Sequence, residues 1–327
     1  MLEPAPPDLT CRGMVPAREA LLWLGAHLRA AGYRFQAVTP ETHRRFLARS
    51  QHWARELADA FGWNLPFQTP LLGAARCAAL ASAGCISVHG EGWKANVRAA
   101  SLDELIVFHS AFPTEQHDSV FFGPDTYRFV RAIRQTLPAL AQPPRRVIEI
   151  GCGAGPAAIV LAAALPDADV TAADINQRAL EQTAINGCLA GVRNMRVALS
   201  DLLDGVDGVF DLVVANPPYM LDAAARAYRH GGGSHGEGLA VAIVRAALQR
   251  LAPGGTLMLY TGTAVINQQD AFWRAVRPLL DGADCHWRYE ELDPDVFGEE
   301  LDQPGYADVD RIAVAWLVMT LQERARS

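Results

Sequence analysis

Four consecutive residues, Asn216-Pro217-Pro218-Tyr219, place two acceptor groups beside an aromatic ring. The prolines fix the backbone and remove two N–H donors, so the Asn216 side-chain oxygen and the Pro217 carbonyl remain as acceptors. Both can accept from one –NH2 group, and the Tyr219 ring offers a flat face to a planar substrate. The pattern suits an amide or aromatic amine, whose lone pair would be oriented toward an electrophile. A proline turn that only ends a strand is the alternative.

A glycine-rich turn over residues 149–155 contains Gly151, Gly153 and Gly155 between an apolar strand and a helix. Glycines let the backbone approach a ligand closely, and the start of a helix offers free N–H groups. The dinucleotide-binding spacing G-x-G-x-x-G is not kept, because the third glycine comes one residue early and Pro156 follows it. The turn therefore differs from the dinucleotide fingerprint while keeping features that suit a bound ligand, and a ligand-free strand–helix turn is the alternative.

Two carboxylates follow the next two predicted strands. Asp174 ends the first of them, and a carboxylate at that place can accept hydrogen bonds from both hydroxyls of a ribose. A helix N-cap before Gln177 is the alternative for Asp174. Asp201 comes just after the second strand, and its order and spacing behind Asp174 favour a place in the same site.

Strands alternate with helices from residue 146 onward, which predicts a mostly parallel, doubly wound α/β sheet. Such sheets bind ligands outside the carboxyl ends of their strands, and each motif above follows a strand. The predicted strands cover residues 146–150, 170–174, 195–199, 210–215, 256–261, 286–290 and 311–319, and the predicted helices cover 156–165, 177–189, 239–251 and 268–280.

Three prolines between residues 137 and 144 predict a boundary between an N-terminal domain, 1–140, and a C-terminal domain, 141–327. Helices followed by a β-hairpin are typical of a winged helix and of many other small α+β modules, so the pattern leaves nucleic-acid binding open. The predicted upstream elements are helices over 16–31, 39–60 and 70–83 and strands over 85–89, 93–99 and 105–108.

The formal charge of −7 over 327 residues is unevenly distributed. Residues 1–146 carry 16 Lys and Arg against 12 Asp and Glu, a net of +4, whereas residues 147–327 carry 13 against 24, a net of −11. The acidic average weighs mildly against a protein that coats nucleic acid. The basic half keeps an RNA partner open.

Cysteine and histidine spacing argues against a disulfide framework and a metal site. The six cysteines include no CxxC pair, and the nine histidines show no HExxH or comparable spacing. No apolar run approaches the roughly 20 residues of a membrane helix. We therefore expect a cytoplasmic protein without a metal or a membrane partner.

Taken in order, these motifs resemble those of class I S-adenosylmethionine-dependent methyltransferases. Residues from about 120 to 320 resemble the Asn-Pro-Pro-Tyr amino-methylating group, which includes the PrmC/HemK-like glutamine methyltransferases and related RNA methyltransferases. The resemblance implies a Rossmann-like catalytic domain that binds S-adenosylmethionine, preceded by an α+β substrate-recognition domain. A longer N-terminal region with a β portion departs from the small helical domain of PrmC.

The resemblance also assigns roles around the cofactor. The glycines cradle it, Glu149 organises its methionine end, Asp174 holds the ribose, and the Asp201 side chain and Leu202 backbone contact the adenine. The implied cofactor-binding residues are Glu149, Gly151, Gly153, Gly155, Asp174, Asp201, Leu202 and Asn216.

On the acceptor side, the resemblance makes Asn216, Pro217 and Tyr219 the catalytic residues. The segment 121–127 resembles one that these enzymes place beside cofactor and substrate, and residues 232–239 resemble the GG-x-x-G-L segment of the glutamine methyltransferases. The expected substrate contacts are Phe122, Asp125, Thr126 and Tyr219.

The resulting expectation is N-methylation of an amide or amino nitrogen of a macromolecule, either a protein glutamine or an RNA base. A small-molecule N-methyltransferase and a catalytically silent cofactor-binding module are the alternatives. The stretch from Leu292 to Asp310 is unusually acidic, and we expect either a solvated loop or a flap that contacts the substrate.

Overall fold

A computed structural model of the chain describes residues 15–49, 53–222, 226 and 228–322. Its upstream part consists of helices followed by two separate β-hairpins, in which β1 pairs with β2 and β3 pairs with β4. The elements are α1 (Val15–Ala30), α2 (Pro40–Arg49), α3 (Leu57–Phe61), α4 (Ala74–Ser82), β1 (Ile86–His89), β2 (Gly92–Ala95), β3 (Val97–Leu102) and β4 (Leu105–Ser110). The expected α+β character is confirmed, and the winged-helix interpretation stays a prediction.

Some upstream elements are shorter than the sequence pattern predicts. The predicted helix over 39–60 is replaced by α2 and α3, and residues 50–52 lie outside the described residues. The predicted helix over 70–83 is divided into a 3₁₀ turn at Thr69–Leu71 and α4. Gly73 separates the two with a φ of +85°, a value that interrupts a right-handed helix.

The downstream part contains the large sheet. Its order is β11-β12-β9-β8-β5-β6-β7, with β10 beside β9. The elements are α5 (Pro124–Thr136), β5 (Arg146–Ile150), α6 (Pro156–Ala164), β6 (Asp169–Asp174), α7 (Gln177–Ala190), β7 (Met195–Leu199), β8 (Phe210–Ala215), α8 (Gly238–Arg250), β9 (Leu251–Ile266), β10 (Gln269–Asp270), α9 (Ala271–Asp281), β11 (Cys285–Asp293) and β12 (Arg311–Leu321).

Strand direction confirms the mostly parallel, doubly wound sheet. β9, β8, β5, β6 and β7 run parallel to their neighbours, whereas β12 is antiparallel to β9 and β11 is antiparallel to β12. The carboxyl ends of β5, β6, β7 and β8 therefore meet at one edge of the sheet, where the sequence motifs lie.

Alternate residues of the central strands pack on opposite faces of the sheet. Val147 belongs to the core that contains residues of α5, α6 and α7, whereas Ile148 belongs to the core that contains residues of α8 and α9. This alternation follows from the two-residue period of a strand. The two helix layers bury the strands on both sides and hold the edge residues in place.

The upstream region packs on α7. Asn186 of α7 accepts from the Phe108 N–H and donates to the Phe108 carbonyl, at 2.9 Å each, and Leu189 joins the upstream core that contains Leu24 and Leu28. The division at residues 140 and 141 stays a prediction. Among the described residues, no helix is both long and apolar enough to cross a membrane.

Candidate active site

A cavity of about 490 Å³ lies at the carboxyl edge of the parallel strands. It brings together residues from the glycine-rich turn, from the two carboxylate motifs and from the Asn-Pro-Pro-Tyr turn. The sequence-predicted residues that line it are Asp125, Thr126, Glu149, Gly151, Gly153, Asp174, Asp201, Leu202, Asn216, Pro217 and Tyr219. Phe122 and Gly155, also expected to bind ligands, are not part of this lining.

The glycine-rich turn adopts a backbone that favours glycine. Gly151, Gly153 and Gly155 have φ values of +69°, +54° and +80°. A Cβ atom on Gly151 would meet open space, whereas one on Gly155 would lie 2.6 Å from the Thr183 side chain of α7. Gly155 is therefore corrected from a ligand contact to the left-handed cap of α6, and Gly151 and Gly153 face the cavity.

Asp174 ends β6 and is tied to the glycine-rich turn. Its Oδ2 accepts from the Gly153 N–H and its Oδ1 from the Asn176 N–H, at 2.9 Å each. Burial raises the pKa of Asp174, and the backbone donors partly offset that shift. Each oxygen keeps lone-pair capacity toward the cavity. Asn176 is the N-cap of α7, so the N-cap alternative for Asp174 is wrong.

Glu149 lies beneath the turn and is only 3% exposed. Its Oε2 accepts from the Ala158 N–H in the first turns of α6 at 2.7 Å. Burial raises the pKa of Glu149 to about 8, although the bond from Ala158 opposes the shift. The carboxyl group thus joins β5 to α6 where both border the cavity.

The β7 end presents an exposed carboxylate and an unusual backbone. Asp201 is exposed, and Leu202 has a φ of +46°, in the left-handed region. Ser200 supports this turn because its Oγ donates to the Leu202 carbonyl at 3.0 Å and accepts from the Gly205 N–H at 2.9 Å. The support fixes Leu202 along the cavity wall.

Asn216, the first residue of the Asn-Pro-Pro-Tyr turn, lines the cavity. Asn216 is half-buried, and its side chain makes no hydrogen bond to another described residue. Tyr219 is 8% exposed, and a Cβ atom on Gly262 would lie 2.1 Å from its ring. Its ring is thus packed against β9, which leaves less of the expected flat face free than the sequence suggested.

Asp125 connects the Tyr219 hydroxyl to α5 and β9. Tyr219 donates to Asp125 Oδ2 at 2.5 Å, and Tyr260 donates to Oδ1 at 2.7 Å. Arg128 contacts Oδ1 at 3.1 Å and Asp293 at 3.0 Å. Asp125 was expected to contact the substrate, but it is 6% exposed and both oxygens already bind side chains.

Phe122 is corrected from a substrate contact to a core residue. It is 1% exposed, packs edge-on against Tyr127 at 5.2 Å and stacks near His109 at 5.5 Å. Its neighbour Phe121 lines the cavity instead. Successive side chains in an extended segment face opposite sides, so a one-residue offset exchanges core and cavity.

The glycine segment after the Asn-Pro-Pro-Tyr turn packs directly on that turn. A Cβ atom on Gly236 would lie 2.0 Å from the Tyr219 carbonyl oxygen, and one on Gly231 would lie 2.7 Å from the Tyr219 Cα. The Met220 carbonyl accepts from the Gly231 N–H at 2.9 Å. Only glycine fits at positions 231 and 236, because any Cβ atom there would clash with the backbone of the turn. The close contact also holds the turn in place.

The acidic stretch after β11 contacts the site. Phe297, Glu299 and Glu300 line the cavity, and the Phe297 ring lies 6.2 Å from the Tyr219 ring. Tyr306 is fully buried in the core. The stretch is therefore packed at Phe297 and Tyr306 and solvated at Asp295, Asp302 and Asp308, which are exposed. Its contact with a substrate stays a prediction.

Sequence reasoning missed Tyr260, Arg128, Phe297 and Gly262. Gly262 carried a signal, since an isolated glycine inside a strand often marks a close approach of another group. Tyr260 and Phe297 lie far along the chain from the motif they support, whereas Arg128 directly follows the segment 121–127 and pairs with Asp125 three residues earlier. Over the part of the chain that the structure describes, no group of three or more His, Cys, Asp and Glu is placed to hold a metal ion.

Residues 129–272 match the family model described as "Methyltransferase small domain". The release factor glutamine methyltransferase of Deinococcus radiodurans is 36% identical over 153 residues, which cover 42% of this chain and 55% of that protein. The 4-amino-L-phenylalanine/4-methylamino-L-phenylalanine methyltransferase of Streptomyces pristinaespiralis is 30% identical over 189 residues, covering 53% of this chain and 65% of that protein.

A third relative, the ribosomal RNA small subunit methyltransferase C of Serratia proteamaculans, is 31% identical over 114 residues, which cover 35% of this chain and 30% of that protein. The chain thus spans less than two thirds of the length of each of these relatives. The family match covers β5 to β9, the part of the sheet that carries the motifs.

Proposed function

We propose that the chain is an S-adenosylmethionine-dependent N-methyltransferase, because residues 129–272 match the methyltransferase small domain. Its proposed acceptor is an amide or amino nitrogen of a macromolecule, either a protein glutamine or an RNA base. One observation carries the proposal. The Asn216 side chain makes no hydrogen bond within the described residues and lines the same cavity as the glycine-rich turn and Asp174.

The residues around the turn fit S-adenosylmethionine. The open space beside Gly151 leaves room for a ligand against the backbone, and Asp174 keeps acceptor capacity for two ribose hydroxyls. Asp201 and the Leu202 backbone would hold the adenine. The carboxylates Asp174 and Asp201 favour a ligand that carries a positive charge. When bound, S-adenosylmethionine supplies an electrophilic methyl group on a positively charged sulfur.

The Asn-Pro-Pro-Tyr turn would hold the acceptor nitrogen. The Asn216 side-chain oxygen and the Pro217 carbonyl accept its two N–H groups, which turns the nitrogen lone pair away from them. Positive charge develops on this nitrogen during methylation, and the two oxygens stabilise that charge. The nitrogen then releases a proton to water. Tyr219, held by Asp125, supports the turn.

The relatives supply acceptor candidates of matching chemistry. A glutamine amide and the exocyclic amine of a base both present a planar –NH2 group with a delocalised lone pair. Two of the relatives are named for one substrate of each class, a release factor glutamine and a ribosomal RNA. Because the same pair of acceptors serves both groups, the turn alone fits either.

Transfer of a tritiated methyl group into fractionated cell lysate tests the proposal. We expect label in the macromolecular fraction, lost after protease treatment for a protein acceptor or after RNase treatment for an RNA acceptor. Asn216→Ala is the matched control and should leave the lysate unlabelled. Label confined to small molecules would contradict the macromolecular acceptor and indicate a small amine instead. Failure of the chain to bind S-adenosylmethionine would contradict the proposed methyltransferase activity.

A further inference from the structure

A second cavity, of about 620 Å³, lies between α2 and the acidic stretch and adjoins the candidate active site. The two cavities share three lining residues, Glu41, Phe297 and Glu299. Phe297 is the aromatic member of this group, and its ring is near that of Tyr219. The Phe297 side chain therefore lies at the partition between the acceptor side of the active site and a second space.

The Phe297 backbone is held in a costly conformation. Its φ of +53° and ψ of +42° place it in the left-handed region, which is unusual for a bulky side chain. Such a conformation is unfavourable and persists where the surroundings impose it, often at functional sites. On either side, the Val296 N–H donates to the Ile312 carbonyl at 2.9 Å and the Phe297 carbonyl accepts from the Glu300 N–H at 2.8 Å.

The segment that carries Phe297 is tied to the body of the catalytic half on both sides of the ring. Two ties are ion pairs and one is a hydrogen bond to a tyrosine hydroxyl. They are Asp293 with Arg128 at 3.0 Å, Glu300 with Arg229 at 2.5 Å, and the Leu221 N–H with Tyr306 Oη at 2.8 Å. The segment is a fixed wall of the cavity in this structure.

We propose that Phe297 is a specificity-determining residue of the proposed methyl transfer, an inference that rests on that function. Its ring closes the acceptor side of the active site against the second cavity. The space beside Tyr219 then admits a slender planar group, such as a side-chain amide or a single amino-bearing ring, and excludes bulkier groups. Without the ring, the two spaces become continuous.

Two substitutions distinguish the effect of the Phe297 side chain from that of its left-handed backbone. Phe297→Asn removes the ring with a residue that tolerates the left-handed region, and Phe297→Leu keeps an apolar side chain of substantial bulk. Asp302→Asn is the matched control, because Asp302 lines only the second cavity. Thermal unfolding of each variant checks that it is folded.

The probes are S-adenosylhomocysteine and an S-adenosylmethionine analogue that carries benzyl in place of the transferable methyl. The transferable group faces the acceptor nitrogen, so the benzyl group must occupy the space that Phe297 limits. Calorimetry measures both dissociation constants without any need for turnover. For each variant we compare one ratio, the dissociation constant of the benzyl analogue divided by that of S-adenosylhomocysteine.

We expect the full-length wild type to bind the benzyl analogue at least about tenfold more weakly than S-adenosylhomocysteine, and Phe297→Asn to remove most of that difference. Phe297→Leu and Asp302→Asn should retain it. Equal affinities in the wild type, or an unchanged ratio in Phe297→Asn, would overturn the inference alone. Failure of the wild type to bind S-adenosylhomocysteine would overturn the proposed function and this inference with it.

Discussion

The half of the cavity that follows β5, β6 and β7 differs in construction from the half that follows β8. In the first, the joining contacts are close in sequence: Glu149 binds Ala158, nine residues on, and Gly153 binds Asp174, 21 residues on. In the second, Tyr219 binds Asp125 across 94 residues. The first half is made by consecutive strand ends, and the second is assembled from distant segments.

We relate this difference to two proposed tasks of the cavity, which are to bind the cofactor and to hold the acceptor. Backbone groups and short-range carboxylates suffice to recognise a ligand that has a constant structure. The second half combines the Asn216 amide, which has no hydrogen-bond partner among the described residues, with side chains from α5, β9 and the acidic stretch. Its shape can therefore change without altering the first half. We expect substitutions in the second half to affect turnover and acceptor choice while sparing cofactor affinity.

The largest expected effect is that of Asn216→Ala. Removal of the side-chain acceptor should lower turnover by roughly 100- to 1,000-fold, because the charge that develops on the acceptor nitrogen loses one of its two partners. Affinity for S-adenosylhomocysteine, measured by calorimetry, should change by no more than a few-fold. Activity that survives within a few-fold would show that the acceptor nitrogen is held elsewhere.

A smaller effect is expected for Asp125→Asn. The change leaves one oxygen to serve two tyrosine hydroxyls and removes the ion pair with Arg128, so Tyr219 should be held less firmly. We expect turnover to fall by about tenfold with cofactor affinity retained, and stability to fall by about 1–3 kcal/mol.

Asp211→Asn provides the control for Asp125→Asn. Asp211 accepts from the N–H groups of Arg145 and Arg146 at the start of β5, away from the cavity. The Asp211→Asn variant should be less stable than the wild type, with its turnover unchanged. A parallel loss of cofactor affinity and turnover in Asp125→Asn would contradict the separation of the two halves.

The smallest effect on turnover is expected for Glu149→Gln, which should instead change the pH dependence of stability. The folded-state pKa of about 8 exceeds the usual value of 4.5, so the protonated carboxyl stabilises the fold at low pH. That contribution is lost as the pH rises from about 4.5 to 8, because the folded state binds the extra proton over this range.

Chemical denaturation between pH 5 and 8 measures this slope. Glu149→Gln should flatten it, because the variant has no carboxyl group to titrate at this position. A stability that rises with pH in the wild type, or an equal slope in the variant, would contradict the assignment to Glu149.

The sequence predicted the first half of the cavity better than the second, for a physical reason. Gly151, Asp174 and Asp201 lie at the carboxyl ends of β5, β6 and β7, and parallel strands bring these ends to one edge. Tyr260 lies within a buried strand and has no local feature that distinguishes it from a core residue. The pairing of Tyr260 with Asp125 could be identified only once the structure placed β9 and α5 side by side.

Small errors of position had large consequences in irregular segments. The prediction of Phe122 was one residue from Phe121, which lines the cavity, because nothing in the sequence fixes which side of an extended segment faces inward. β9 extends from Leu251 to Ile266, well beyond the predicted strand over 256–261. The additional residues include Gly262, against which Tyr219 packs.

The position of α5 bears on how this chain can be recombined with others. Its Phe129 ring lies 6.1 Å from Tyr260 and 6.3 Å from Trp316, and Thr136 is hydrogen-bonded to the Trp316 indole, so the helix covers strands that lie far downstream. A chimaera joined at residue 141 would leave α5, with its Asp125, on the wrong parent. A junction before residue 120 would transfer the cavity wall together with the sheet that it completes.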